Sequence, residues 1–289
     1  MQVHLVDGTY ELFRYHFALP SHETGDGREV AATRGAVGTV LQILEEGATH
    51  VGVATDHVIE SFRNDLWPDY KTGEGMEPNL VAQFKPLEDA LAAMGVAVWP
   101  MVELEADDGL ASAARIASED DRVEKVCIWA NDKDLAQCVR GDRVVQIIRK
   151  GMQIRNADGV RAKFGVGPDL VADFLALVGD AQDGYPGIRG IGASTAASLL
   201  NRYGPIESFP DTVLGDGREQ ALLFKNLATL RTDAALFTDV DELAWTGATP
   251  AFPGWPEKMD DKRIEARIEK ARAVVLNSAG GGEQASASL

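Results

Sequence analysis

The chain has 289 residues, 45% hydrophobic and 25% charged, with a net charge of −17 at pH 7. This is ordinary globular composition, enough for one large domain or two small ones. Two cysteines and five histidines without paired spacing exclude a disulfide framework and a zinc finger, and no apolar run is long enough to span a membrane.

The amino terminus runs straight into an apolar strand, so no signal peptide is expected and the reading is of a cytoplasmic protein. Val3 to Val6 forms that strand and ends at Asp7. A short helix follows over Glu11 to Phe17, and a longer one over Ala31 to Glu46, with Val37, Val40, Leu41 and Leu44 at helical spacing. A second strand, Val51 to Thr55, ends at Asp56. The polar and aromatic stretch 61–79 is too long for a simple connection, which marks it as functional or disordered. A helix is expected from Leu80 to Met94, a strand from Val96 to Trp99 and a helix from Glu105 to Ala117. Strands over Val126 to Trp129 and Val144 to Ile148 complete an alternation that predicts a mostly parallel α/β sheet flanked by helices.

From Gly159 the character changes to helices and glycine turns. Helices are expected over Pro168 to Val178, Ser194 to Leu200, Glu219 to Leu230 and Lys262 to Val275. The organisation read from this is an α/β domain over 1–158, a helical subdomain over 159–276 and a Gly/Ser/Ala-rich disordered tail over 277–289.

Three of the apolar strands end in aspartate: Asp7, Asp56, and Asp132 with Asp134 two residues on. Ligands of parallel sheets bind at the carboxyl ends of the strands, so these acids from distant parts of the chain share one crevice. Packed carboxylates repel and raise one another's pKa, a penalty that a divalent cation removes. The expectation is a magnesium or manganese site. Further acids fit the same crevice. In Glu105-Ala106-Asp107-Asp108, positions 105 and 108 share a helix face and Asp107 points elsewhere. In Asp132-Lys133-Asp134, an extended backbone turns both carboxylates one way and Lys133 the other. Asp180 and Asp183 have the spacing of one helical turn. Each cluster alone also fits a bland role, as a helix first turn, an N-cap or a polar loop.

Two further features suit a polyanion. Phe62-Arg63, Trp67 and Tyr70-Lys71 combine aromatic rings with cations, which suits unpaired bases and phosphates. The turn from Gly187 to Ala196 carries Gly190 and Gly192, which let backbone approach a phosphate, with Ser194 or Thr195 as a helix cap. It is not a nucleotide loop, because no strand precedes it and no P-loop lysine follows. The acidity argues against nucleic acid unless bound cations offset it, since phosphate binding leaves a basic footprint.

Taken in order, the segments LVDGTYELFR at 5–14, TDHVIESFRNDLWPDYK at 55–71, EADD at 105–108, NDKDLAQCV at 131–139 and KFGVGPDLVADFLALVGDAQDGYPGIRGIGASTAASLL at 163–200 resemble the 5′-nuclease family. That family comprises flap endonucleases, phage 5′–3′ exonucleases and the amino-terminal nuclease domain of bacterial DNA polymerase I. The resemblance covers about residues 1–205. It implies a PIN-like sheet, a helical arch near 61–79 and a helix–two-turn–helix subdomain. It implies a structure-specific 5′ nuclease using two Mg2+ or Mn2+ ions on DNA with a 5′ end or flap, without an obligate protein partner and associated with the nucleoid if the source is prokaryotic. The metal acids carried over are Asp7, Asp56, Glu105, Asp107, Asp108, Asp132, Asp134, Asp180 and Asp183. Arg63 and Lys71 match catalytic basic positions at the arch. Arg14, Tyr70, Gly187, Gly190, Gly192, Ser194 and Thr195 match DNA-binding positions, and the turn implies a K+ ion on backbone carbonyls. Two departures remove positive charge: Glu74 stands where the family has arginine, and Ser194 where it has lysine. The rival readings are an RNA-directed nuclease of PIN-like type, a non-catalytic protein that binds branched DNA and, more weakly, a metal phosphatase of small molecules.

Overall fold

The structure, a computed structural model, describes residues 1–280. Its first layer is a six-stranded sheet. The strands are β1 (Gln2–Asp7), β2 (His50–Asp56), β3 (Ala97–Met101), β4 (Lys125–Trp129), β5 (Val144–Ile148) and β6 (Gln153–Arg155), in the order β3-β2-β1-β4-β5-β6. The first five pair in parallel, and β6 closes the edge antiparallel to β5. Val6 sits opposite Val53 on one side and Trp129 on the other. The order reverses between β1 and β4. A parallel sheet opens its ligand crevice at such a switch point, beyond the carboxyl ends of the strands.

The helices are α1 (Gly8–Ala18), α2 (Ala31–Glu45), α3 (Phe62–Leu66), α4 (Pro78–Val81), α5 (Phe84–Ala93), α6 (Ala106–Glu119), α7 (Ala157–Phe164), α8 (Val171–Val178), α9 (Ala193–Tyr203), α10 (Asp211–Leu214), α11 (Arg218–Ala228), α12 (Trp255–Lys258) and α13 (Ile264–Gly280). One face of the sheet packs on α1, α2 and α5, with Val6, Val53, Leu41, Leu44 and Leu91 buried in one cluster. The other face packs on α6 through Val3, Leu5, Ile128, Leu110 and Ala114. Both faces are covered, so the strands read as continuous apolar runs.

The helix expected over Leu80 to Met94 is two helices. Pro86 has no N–H, and its ring would clash with the carbonyl of residue 82 in a continuous helix. The chain therefore breaks at Ala82 and Gln83 and restarts at Phe84. The buried Gln83 fixes the break by accepting from Thr33 N at 3.0 Å. Strand β6 and helix α7 were not anticipated.

The division of the chain also differs from the expected one. The second core, built on α8, α9 and α11, draws on residues up to Ala228. Beyond it the chain returns to the sheet. Leu230, Phe237, Val240 and Leu243 join the α6 side, and Trp245, Phe252, Trp255, Ile264, Ile268 and Val275 join the α2 side. Residues 229–276 thus belong by packing to the α/β layer, not to the helical subdomain. The tail expected to be disordered from 277 begins inside α13, and its remainder from 281 lies outside the described residues.

Candidate metal centre and nucleic-acid interface

Asp7 ends β1 and caps α1, accepting from Tyr10 N at 2.8 Å. Asp56 ends β2 and accepts from Ala106 N, the first residue of α6, at 2.7 Å. Its own backbone N–H donates to Thr9 Oγ1 at 2.7 Å, which ties β2 to α1. Glu105 precedes α6, and Asp107 sits in its first turn. Asp132 follows β4 and accepts from Asp134 N at 2.9 Å. Asp7, Asp56, Glu105, Asp107, Asp132 and Asp183 line one crevice of about 380 Å3 together with Thr9, Tyr10, Phe13, Thr72, Met76 and Lys71. Beside it, Asp134, Asp180 and Asp183 each offer a carboxylate oxygen, all within 4.8 Å of one another.

The electrostatics fit this crowding. Burial first, and then Asp56 and Asp132, push Asp7 from 3.8 to about 8, against the Tyr10 amide that lowers it. Burial and then Asp132 raise Asp107 and Asp134 well above the ordinary carboxylate range. Burial also raises Asp183 to about 6, although Lys71 acts the other way. Glu105 is the exception. Burial would raise it, but Lys71 and Arg63 hold it below its usual value. Asp107 Oδ1 and Asp134 Oδ1 are buried and have no hydrogen-bond donor. Orphaned buried acceptors among like charges are what a hard divalent cation satisfies, so the donor set fits such ions.

Lys71 is the cation inside the crevice. Its Nζ lies 2.8 Å from Glu105 and 3.1 Å from Asp183. Its position is set by backbone. Lys71 N donates to Asp183 O, and Trp67 Nε1 donates to Gly184 O at 3.0 Å. Gly184 has φ +84°, and a Cβ there would stand 1.9 Å from Asp69 O, so only glycine allows this approach.

Several expected roles change. Arg63 is 1% exposed, and its guanidinium makes two 2.7 Å bonds to Asp108, itself 0% exposed. It also donates to Leu227 O and Thr229 O near the end of α11. Neither Arg63 nor Asp108 faces the crevice, so neither is placed to touch a phosphate or a metal. Asp108 turns back instead to accept from Glu105 N and Arg231 N. Tyr70 is buried in the second core, with its hydroxyl 3.4 Å from Glu105, and offers no face for base stacking. The basic and aromatic part of the 61–79 stretch is thus packed. The stretch is exposed at Asp65, Leu66, Pro68 and Asp69 and again within 72–79. Lys133 does not face away either. The chain turns helical at Lys133, not extended, and Nζ reaches Asp180 at 2.6 Å. Arg14 is engaged with Glu11.

In the glycine turn, Gly187 is buried with φ +71°, its Cα packed on Val178 and Gly179. Gly190 (φ +85°) and Gly192 face open space. Gly192 is the cap residue of α9, and neither Ser194 nor Thr195 caps it. Both are exposed in the first turn, beside amide groups that have no partner within the helix.

Sequence reasoning missed Thr9, Tyr10, Asn131 and Lys133. Thr9 and Tyr10 adjoin Asp7 on the first turn of α1, and that adjacency was the available signal. Asn131 donates to the Tyr10 hydroxyl, which joins the ends of β4 and α1.

Over residues 2–165 the chain matches the family described as 5′–3′ exonuclease, N-terminal resolvase-like domain. Over residues 166–251 it matches 5′–3′ exonuclease, C-terminal SAM fold. It is 33% identical to DNA polymerase I of Pseudomonas aeruginosa over 88% of this chain and 29% of that protein. It is 31% identical to DNA polymerase I of Bacillus subtilis over 84% of this chain and 29% of that protein. The chain therefore spans about 29% of the length of these curated relatives. Among solved structures it is similar to T5 5′-exonuclease with zinc ions bound, with TM-score 0.67, 18% identity and coverage of 94% of this chain and 100% of that one. It is also similar to the catalytic core of Rad2 in complex with DNA substrate, with TM-score 0.58, 13% identity and coverage of 93% and 92%. At these identities the two structures show a shared fold.

Proposed function

From the chain's membership of the 5′–3′ exonuclease family, we propose that it hydrolyses DNA phosphodiester bonds at 5′ ends or flaps with two divalent cations, Mg2+ or Mn2+. One observation carries the reading. Acids from the ends of β1, β2 and β4, the start of α6 and the turn after α8 converge on one crevice, and two of their buried oxygens lack any donor. A binding module gains nothing from clustered negative charge beside phosphate.

Asp7, Asp56, Glu105, Asp107 and Asp132 would hold one ion, and Asp132, Asp134, Asp180 and Asp183 the other. The chemistry such ions supply when bound is a lowered pKa of the attacking water and a stabilised leaving oxygen. The chain's own residues do the rest. Lys71 stands between the two acidic groups, and with cations loaded there its ammonium is free to turn to the scissile phosphate and offset charge in the transition state. Thr9 and the Ala106 amide fix Asp56, and the Tyr10 amide fixes Asp7, so the carboxylates keep one geometry through turnover. The first-turn amides of α9, beside the open Gly190 and Gly192, suit a backbone phosphate of the duplex. The carbonyls of that turn would take K+. A DNA substrate of this kind supports a cytoplasmic location, with the nucleoid if the source is prokaryotic.

The test is a titration of Mg2+ and Mn2+ against a labelled 5′-flap duplex and a matched RNA flap, with product lengths resolved. Metal-dependent cleavage of the DNA flap is expected. No cleavage at any metal concentration, with binding intact, would leave a binding protein.

A further inference from the structure

The chemistry above gives no part to Lys133. This residue stands between two of the crevice acids, Asp132 and Asp134, on a helical backbone with φ −71° and ψ −27°. Its side chain leaves that turn and crosses to the loop after α8, where Nζ lies 2.6 Å from Asp180 Oδ2. The other oxygen, Asp180 Oδ1, accepts from Gln182 N at 3.0 Å. Both oxygens of Asp180 are therefore engaged. The backbone of Asp180 exchanges two bonds with Tyr185, at 2.8 and 3.0 Å, which fixes the carboxylate from behind.

The two acidic groups differ in how they meet cationic side chains. Among the described residues, the lysine and arginine contacts of Asp7, Asp56, Glu105, Asp107 and Asp132 fall on Glu105 alone. In the group of Asp134, Asp180 and Asp183, Lys133 covers Asp180 and Lys71 covers Asp183, which leaves Asp134 with the bare oxygen. Lys71 is shared with Glu105, whereas the ion pair of Lys133 among the described residues is with Asp180 alone. Asp180 is 3% exposed, so water and salt screen this pair little. Lys133 is 29% exposed, and an ammonium on a flexible stem can swing out to water.

We propose that Lys133 is a built-in counter-ion that competes with a divalent cation for Asp180, so that the second acidic group takes its ion weakly and after the first. This rests on the two-ion reading and deepens it, since Lys133 enters on geometry alone. An ammonium and a divalent cation cannot share one carboxylate oxygen at bonding distance, because like charges that close repel. A cation that recruits the oxygens of Asp134, Asp180 and Asp183 must first break the Lys133 pair. Its own attraction to three carboxylates is offset by that loss. The first group asks for no such exchange at Asp7, Asp56, Asp107 or Asp132.

The experiment is calorimetric titration of Mn2+ into the DNA-free protein. Two classes of site are expected. Lys133→Gln should tighten the weaker class about tenfold, or bring it into range if the unsubstituted protein shows one class alone. Lys133→Arg keeps the charge beside Asp180 and should keep the weaker class weak. Lys125→Gln, at the amino end of β4, removes the same charge far from the acids and should leave both classes in place. Asp180→Asn identifies the class: in that background Lys133→Gln should no longer tighten it, a non-additivity that a general charge effect does not produce. An unchanged weaker class in Lys133→Gln overturns the proposal, and so does equal tightening in Lys125→Gln or in the Asp180→Asn background. If the unsubstituted protein and Lys133→Gln both take up no Mn2+, the two-ion reading itself has failed, an outcome distinct from a bound ion that ignores Lys133.

Discussion

Arg63 and Asp134 show how two buried charged residues are put to opposite uses. Arg63 spends its charge inside the protein. Burial works against its ionisation, yet Asp108 and Glu105 hold its pKa above the ordinary arginine value. Arg63→Ala would leave Asp108 buried and unpaired, so a loss of about 3–5 kcal/mol is expected in urea unfolding. Asp134 is buried without a compensating donor on Oδ1. Asp134→Asn removes like-charge repulsion while keeping shape. The metal-free protein should therefore melt at a higher temperature, the Mg2+-induced rise in Tm should shrink, and flap cleavage should fall by roughly two orders of magnitude or more. Wild-type cleavage in that variant would remove Asp134 from the site. The acids of the crevice could be read from the sequence because a strand that ends in aspartate fixes both depth and direction. Asp108, Arg63 and Tyr70 could not. A family motif gives position along the chain, whereas burial depends on what packs from above. Here that is the end of α11, more than a hundred residues away.

Among the elements, the turn between α8 and α9 does the most to place Lys71. The contact of Gly184 with Asp69 O and the bond from Lys71 N to Asp183 O lock the 67–71 segment against the second acidic group. Gly184→Ala adds a Cβ where there is no room and asks for a φ that alanine resists. A loss of about 1–3 kcal/mol in thermal unfolding is expected, together with a lower kcat as Lys71 shifts. An unchanged kcat would separate the turn from the chemistry. Most elements were legible from apolar periodicity, including the five parallel strands and the long helices α2, α6 and α9. The break between α4 and α5 was legible too, since Pro86 states it, but periodicity across Leu80 to Met94 conceals it. Strand β6 could not be read, because it is three residues long and exposed, with no apolar pattern.

For the whole molecule, the clustered acids set how stability depends on pH. Asp7 and Asp183 titrate near 3.8 when unfolded, but at about 8 and about 6 when folded. Between those values the folded state holds protons that the unfolded state has released, so these groups lower stability as pH rises from about 4 to about 8. A divalent cation competes with those protons. Calorimetry should therefore show that Mg2+ raises Tm more at pH 8 than at pH 5. Equal shifts at both would mean that the acids do not share an ion.

The return of residues 229–276 to the α/β layer has a consequence for how the protein is made. Helix α2 is synthesised early, but the residues that shelter its outer side, Ile264, Ile268, Ala271 and Val275, come more than two hundred positions later. Until they leave the ribosome, the half-built chain has a greasy flank open to water, and a nascent chain stalled after α11 should attract chaperones or aggregate even though every acid of its crevice has already been translated.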